Sequence, residues 1–325
     1  MYNRYEINSR VDVIQAAYDE ILAATRQHIL GNDALIEQIF IGILTGGHVL
    51  VEGLPGTAKT TIGKIIAKLV SYDFSRVQGA VDVQPADIVG IRIYDQEQKR
   101  FILRKGPIFY NFVMIDEINR LTPKTQSAFL EAMSERQTTI DGVTYPLAEP
   151  YFALATQNTY DAEGTFPLIQ VQKDRFMFSA LTTYLDADAE LELLRQSQEG
   201  NLDWFRYQER LHPVLNTEEI IAMQETVRQI YGDETILQYI RDLVLATRTH
   251  DAIRLGASPR ASIALLIGAK AKAALDGREY VLPDDVKAMA LPVLRHRIAL
   301  SWEAEIGQTT PEEVTAEILA TTGVP

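Results

Sequence analysis

The segment Gly53-Leu-Pro-Gly-Thr-Ala-Lys-Thr60 gathers glycines, a lysine and a hydroxyl in the arrangement that holds a chain of phosphates. Glycines let the backbone curl until its N–H groups converge on anionic oxygens, and a helix opening directly after the loop adds positive potential. Lys59 is placed for the β- and γ-phosphates and Thr60 for magnesium. Gly53, Pro55, Gly56, Thr57, Ala58, Lys59, Thr60 and Thr61 are therefore the candidate nucleotide contacts. Ala58 stands where the general pattern has a glycine. As the smallest replacement, it keeps the loop intact provided its φ is negative.

Two more strand ends supply what a bound triphosphate still lacks. The apolar run 112–116 ends in Asp116 and Glu117. Asp116 is a candidate metal ligand, directly or through water, and Glu117 a candidate base that polarises the attacking water. The run 151–156 leads into Gln157 and Asn158, and the Asn158 amide has both a donor and an acceptor with which to hold that water in line. Either strand end alone is as readily a surface cap. Downstream of a phosphate loop they complete a cradle, a metal ligand, a base and a water-positioning group. The 5 histidines show no metal-ligand spacing, so magnesium arriving with the bound triphosphate is the expected metal and zinc is not.

These residues need elements to position them. Short β-like runs at 48–52, 74–77, 112–116, 151–156 and 176–181 alternate with helical patterns, the mark of a parallel sheet flanked by helices. Two helices precede the first strand, one of them carrying Val11, Ile14, Tyr18 and Ile21 at helical spacing. Two hairpins interrupt the alternation, 91–94 with 101–103 and 138–140 with 143–145, the second turning at Asp141-Gly142. The first carries Lys99, Arg100, Arg104 and Lys105, and reads either as a solvated hairpin or as a loop that grips a substrate. After residue 185 the strands stop, and 186–194, 217–230, 236–250, 259–275 and 283–298 read as helices. The glutamate-rich end from Ser301 reads as a solvated face.

A chain of 325 residues with 46% hydrophobic and 23% charged residues has material for about two globular domains. Its net charge of −13 disfavours a nucleic-acid or anionic-membrane binder. With 0 cysteines there is no disulfide, cysteine nucleophile or thiolate metal site. No signal-like or membrane-length apolar segment stands out, so a soluble, cytoplasmic protein is expected, without membrane insertion.

Taken together, the motifs resemble those of the AAA+ ATPases, and within them the MoxR group. Glu52-Gly-Leu-Pro-Gly-Thr-Ala-Lys-Thr60 is similar to the MoxR Walker A, where alanine before the lysine is usual. Met114-Ile-Asp-Glu-Ile-Asn-Arg120 resembles Walker B, Phe129-Leu-Glu-Ala-Met-Ser-Glu-Arg-Gln137 the helix after it, and Ala155-Thr-Gln-Asn158 sensor 1. Asp174-Arg-Phe176 and Gly256-Ala-Ser-Pro-Arg260 resemble the arginine-finger and sensor 2 segments. Thr159, at a position often held by proline, and the stretch 168–173 depart from the family pattern.

The resemblance implies an α/β fold. A P-loop NTPase αβα core, with a parallel five-stranded sheet and two inserted hairpins, would span 1–185, followed by an all-α lid domain over 186–325. It implies that adenine sits near Leu30 and Gly31, and that an arginine of one subunit reaches the γ-phosphate of its neighbour. Arg175 is the first candidate, with Arg120 and Arg136 as alternatives and an ion pair with Asp174 as the structural reading. Arg260 follows Ser258, a natural helix cap, and Pro259. A cation in a first helical turn calls for a facing anion, which the resemblance makes the phosphate of its own subunit.

By the same resemblance, the chain would hydrolyse ATP in a ring, taken as a hexamer, to remodel or activate a client protein. A partner with a von Willebrand factor A domain is common in the family. Two other readings are a nucleotide-gated scaffold without useful turnover and the motor subunit of a metal-insertion chelatase.

Overall fold

The computed structural model describes residues 4–158, 164–200 and 202–325. The chain opens with α1 (Arg4–Arg26), which buries Val11, Ile14, Tyr18 and Ile21 on one stripe, and α2 (Asp33–Thr45), apolar nearly all round and buried accordingly. Then β1 (Val49–Gly53), α3 (Lys59–Leu69) and β2 (Phe74–Gln78) follow. A short helix α4 (Pro85–Val89) leads into the hairpin β3 (Gly90–Asp95) and β4 (Arg100–Lys105). Next come β5 (Phe112–Asp116), α5 (Pro123–Glu135), the hairpin β6 (Gln137–Ile140) and β7 (Val143–Pro146), β8 (Phe152–Gln157), α6 (Gln170–Lys173) and β9 (Phe178–Thr182).

The main sheet has 5 strands in the order β2-β5-β8-β1-β9, with every pairing parallel. All five predicted strands are present to within two residues. Side chains alternate between two cores, as the pleat requires. Val49, Val51, Phe112, Met114, Phe152 and Leu154 join one core, shared with α1, α2, α3 and the later helices. Leu50, Val113, Ile115, Ala153 and Ala155 join the other, beneath α5. Every residue of β5 and β8 is buried, which is why these strands read as continuous apolar runs. Because Val51 pairs with Thr156 and Ile115 with Ala155, the carboxyl ends of β1, β5 and β8 lie side by side.

Beyond the sheet come α7 (Ala187–Gln198), α8 (Trp204–Tyr207), α9 (Thr217–Gln229), α10 (Glu234–Thr249), β10 (Ile253–Leu255), α11 (Pro259–Leu275), α12 (Pro283–Leu294), β11 (Ala299–Leu300), α13 (Trp302–Ile306) and α14 (Pro311–Thr321). The helix α11 is the lid's centre, packed against α1, α2, α10 and α12. Two expectations need correction. The lid is not purely helical, because β10 and β11 form a small antiparallel pair too short to show alternation. Nor is the acidic end only a solvated face. Thr310 and Glu313 form a capping box for α14, and Val314 and Ile318, four residues apart, are buried. Thr159 lies outside the described residues.

Candidate nucleotide site

The phosphate loop runs from the end of β1 into the head of α3, where the parallel sheet presents its strand ends. Gly53 is required there: a Cβ would stand 2.3 Å from the Thr182 carbonyl oxygen, and its φ of 141° disfavours any side chain. The Thr57 hydroxyl lies 2.9 Å from the Thr182 hydroxyl, fastening the loop to β9. The Lys59 Nζ donates to the Leu54 carbonyl at 2.5 Å, folded back over the loop. Burial lowers the Lys59 pKa from its ordinary value, with Asp116 and Glu117 opposing the shift. The condition set for Ala58 is not met. Its φ is 59° and ψ 14°, so alanine holds a left-handed conformation at a cost of about 1–2 kcal/mol.

A cleft of about 510 Å³ is lined by Gly53, residues 55–61, Asp116, Glu117, Thr156 and Asn158, together with Arg76 and Gln78. Asp116 is buried, and each oxygen is used: Thr156 donates to Oδ1 at 3.0 Å, while Thr60 and Arg76 reach Oδ2 at 2.8 and 2.6 Å. Glu117 is itself left-handed, φ 55°, a non-glycine strain of the kind that collects at working sites. Its backbone N–H donates to Thr156 at 2.9 Å, and its Oε2 accepts from Gln78 at 3.1 Å and meets Arg120 at 3.0 Å. Asn158 follows β8 into the same cleft, and its carbonyl accepts from the Asn119 amide at 3.1 Å.

The donor set suits magnesium. The Thr60 hydroxyl and the Asp116 carboxylate are hard oxygens 2.8 Å apart beside the phosphate loop. Among the described residues no group of three His, Cys, Asp or Glu side chains could cage a metal, so such an ion would share its coordination with phosphate and water.

A second cavity of about 490 Å³ adjoins the loop at Pro55 to Ala58 and is more apolar, with Ile29, Leu30, Tyr184, Leu185 and Leu193 in its wall. Gly31 supports this wall without lining the cavity. A Cβ at its φ of 70° would stand 2.7 Å from the Leu185 side chain. Leu30 and residues 55–58 thus line one cavity, whose apolar wall is compatible in chemistry with a purine.

The arginines divide between two places. Arg120 is paired with Glu117, a residue of the cleft. Arg136, Arg175 and Arg260 instead line a common cavity of about 250 Å³ with Gly46, His48 and Ser134. His48 precedes β1, so this cavity lies at the amino ends of the strands, about 16 Å of strand from the phosphate loop. Arg175 does not pair with Asp174 but donates to Ser134 Oγ at 2.8 Å and the Leu130 carbonyl at 3.3 Å. Ser258 caps α11 and Pro259 opens it, as the sequence predicts. The anion facing Arg260, however, is Asp174, 4.0 Å away. In this arrangement Arg260 lines the cavity at the amino ends of the strands and not the cleft beside the phosphate loop.

Sequence reasoning missed Arg76 and Gln78, whose only signal is polar alternation along β2. It also missed Tyr184, Leu185 and Leu193, which an apolar pattern alone does not distinguish from core.

A parallel αβα sheet with a phosphate loop, strand-end carboxylates and a helical lid defines a P-loop ATPase of the AAA class. Residues 48–178 match the model of the ATPase family associated with various cellular activities, and residues 245–318 match the AAA lid domain. The chain is 36% identical to the protein named Chaperone MoxR1 of Mycobacterium tuberculosis, over 91% of this chain and 79% of that one. It is 42% identical to the uncharacterised YeaC of Bacillus subtilis, over 87% of both chains. The crystal structure of a candidate ATPase from Cytophaga hutchinsonii superposes with a TM-score of 0.88 at 36% identity, covering 98% of this chain and 97% of that one. The chain belongs to the MoxR family of AAA+ ATPases. No helix among the described residues is long and apolar enough to cross a membrane.

Proposed function

We propose that this chain hydrolyses ATP in a ring of its own copies, each site being completed by arginines of the neighbouring subunit, and that the cycle remodels or activates a client protein. The observation that carries this reading is the separation of the two clusters. The phosphate loop, Asp116, Glu117 and Asn158 stand at the carboxyl ends of the strands, and Arg136, Arg175 and Arg260 converge at the amino ends. A head-to-tail contact that repeats this pairing closes into a ring, here taken as six subunits.

In that reading Lys59 leaves the Leu54 carbonyl for the β- and γ-phosphates. Thr60 and Asp116 would hold a magnesium ion, which would supply charge neutralisation to the phosphates. Asn158 orients a water, and Glu117, released from Gln78 and Arg120, takes its proton. Adenine lies in the apolar cavity behind Leu30 and Tyr184. Arg175 of the neighbour supports the charge developing on the γ-phosphate, with that subunit's Arg260 beside it. The client role rests on the chaperone name of the Mycobacterium relative, and a von Willebrand factor A domain protein is the partner class to seek.

The native mass with and without a non-hydrolysable ATP analogue, taken together with turnover per subunit as a function of concentration, tests this reading. A shift to a ring mass and a turnover that rises with concentration are expected. A mass that stays monomeric with concentration-independent turnover contradicts it.

A further inference from the structure

Arg76 is a charged residue lining the cleft to which the hydrolytic cycle assigns nothing. It lies on β2, an edge strand of the sheet, two residues from Gln78 and therefore on the same face. The Arg76 Nε meets Asp116 Oδ2 at 2.6 Å, and its Nη2 donates to Gln78 Oε1 at 2.5 Å. Gln78 in turn donates to Glu117 Oε2 at 3.1 Å. The same Asp116 oxygen accepts the Thr60 hydroxyl at 2.8 Å. The carboxylate that would hold the metal with Thr60 is therefore already paired with a cation of the chain itself. A guanidinium stays charged at every working pH, so this cation leaves only by moving. Arg76 has room to do so, its side chain being 41% exposed against 8% for Asp116.

We propose that Arg76 is a positioning residue that competes with magnesium for Asp116. While metal is absent, it neutralises the carboxylate and admits nucleotide without a divalent ion. When metal arrives it must be displaced, which raises the magnesium concentration at which the site fills. Both effects are Coulombic. A dication and a guanidinium repel at one oxygen, and an unneutralised Asp116 repels the incoming phosphates. Removing Arg76 therefore moves two measurable quantities in opposite senses. The proposal rests on the nucleotide-site reading and specifies how that site takes its metal.

Binding of N-methylanthraniloyl-ADP by fluorescence tests it, in EDTA and across a magnesium titration. In EDTA, Arg76→Gln is expected to bind the probe about tenfold more weakly than the wild type, and its half-saturating magnesium concentration should fall about tenfold. Arg76→Lys keeps a charge but loses the directed Nε contact, and should lie between the two. A folding defect would weaken binding in both media, so parallel losses overturn the proposal, as does a Gln variant indistinguishable from the wild type. A wild-type protein that binds the probe in neither medium overturns the nucleotide-site reading and the proposal with it.

Discussion

Arg297 Nε donates to Asp174 Oδ1 across 2.9 Å, tying the segment after α12 to the residue beside Arg175. The arginine is buried and gives its other N–H groups to the carbonyls of Phe176, Met177 and Val293. Burial pulls its pKa down to about 10, with Asp174 opposing, so it stays charged at neutral pH. Asp174 also accepts the Ser258 hydroxyl at 2.9 Å, at the head of the helix that carries Arg260. One core carboxylate thus holds two lid residues, Arg297 and Ser258, next to Arg175, and any motion of the lid is felt at that segment.

Asp174→Asn keeps the shape of this junction and removes its charge, leaving Arg297 buried without a counter-ion. The expected loss is about 3 kcal/mol, read as a lowered Tm. Nucleotide affinity should be retained, because the phosphate loop is at the far end of the strands. An unchanged Tm would show that the pair contributes nothing to stability.

Lys59→Ala and Glu117→Gln should separate binding from turnover. The first removes the cation that meets the phosphates and is expected to abolish nucleotide binding. The second keeps binding and stalls hydrolysis by at least about 10²-fold, the lower range for a positioned base. Near-normal turnover in Glu117→Gln rules out Glu117 as the base. Asn158→Ala should resemble it, and loss of nucleotide binding in that variant would count against a water-positioning role.

The left-handed Ala58 gives a prediction about the loop itself. Ala58→Gly relieves a conformational cost of about 1–2 kcal/mol and adds back about 0.5–1 kcal/mol of chain entropy, so binding should be equal or slightly tighter. Ala58→Val places a β-branched residue at φ 59°, and nucleotide affinity should fall sharply. Titration of the two variants with nucleotide decides the matter, and equal affinities would contradict the observed loop conformation.

Acid stability should depend on His48. Its Nδ1 accepts the Ala153 N–H at 3.1 Å and its Nε2 faces the Met133 carbonyl at 3.2 Å, an arrangement suited to the neutral ring. Burial lowers its pKa from 6.5 to about 4. Between those values the unfolded chain holds more protons than the folded one, so stability falls as pH falls through that window, by up to about 3 kcal/mol. Buried His296 acts in the same direction. In His48→Gln the Tm between pH 6.5 and 4.5 should fall less steeply than in the wild type, and an unchanged slope would contradict this assignment.

The glycine-rich loop 53–60 and the strand ending in Asp116 were legible because their signals are local: glycines, a lysine and carboxylates bounded by apolar runs. The strand that brings Asn158 into the cleft was legible for the same reason. Ala58 was misjudged because residue type does not give φ. Arg76 and Gln78 escaped because their meaning comes from β5, 40 residues away for the Arg76–Asp116 contact, and an edge strand's polar residues look like solvated ones. Arg260 was legible as a residue of the first turn of α11, but not which end of the sheet it stands at. Its cap is a local matter, whereas its reach is set by how α11 packs on α1 and α2. The α14 helix was hidden by its glutamates, although Val314 and Ile318 at helical spacing were the signal for it.

In the proposed ring Arg175 works across a subunit boundary, and mixing two inactive variants puts that to the test. Arg175→Ala and Glu117→Gln subunits, each inactive alone, are combined and ATP turnover is measured. Mixed rings contain sites that join an intact Glu117 to a neighbour's intact Arg175, so hydrolysis should reappear. The gain should be large, because an arginine supplied in trans is worth about 10³–10⁵ in rate in well-characterised phosphoryl-transfer systems. Arg175→Ala protein that assembles and hydrolyses ATP at the wild-type rate on its own would contradict the claim.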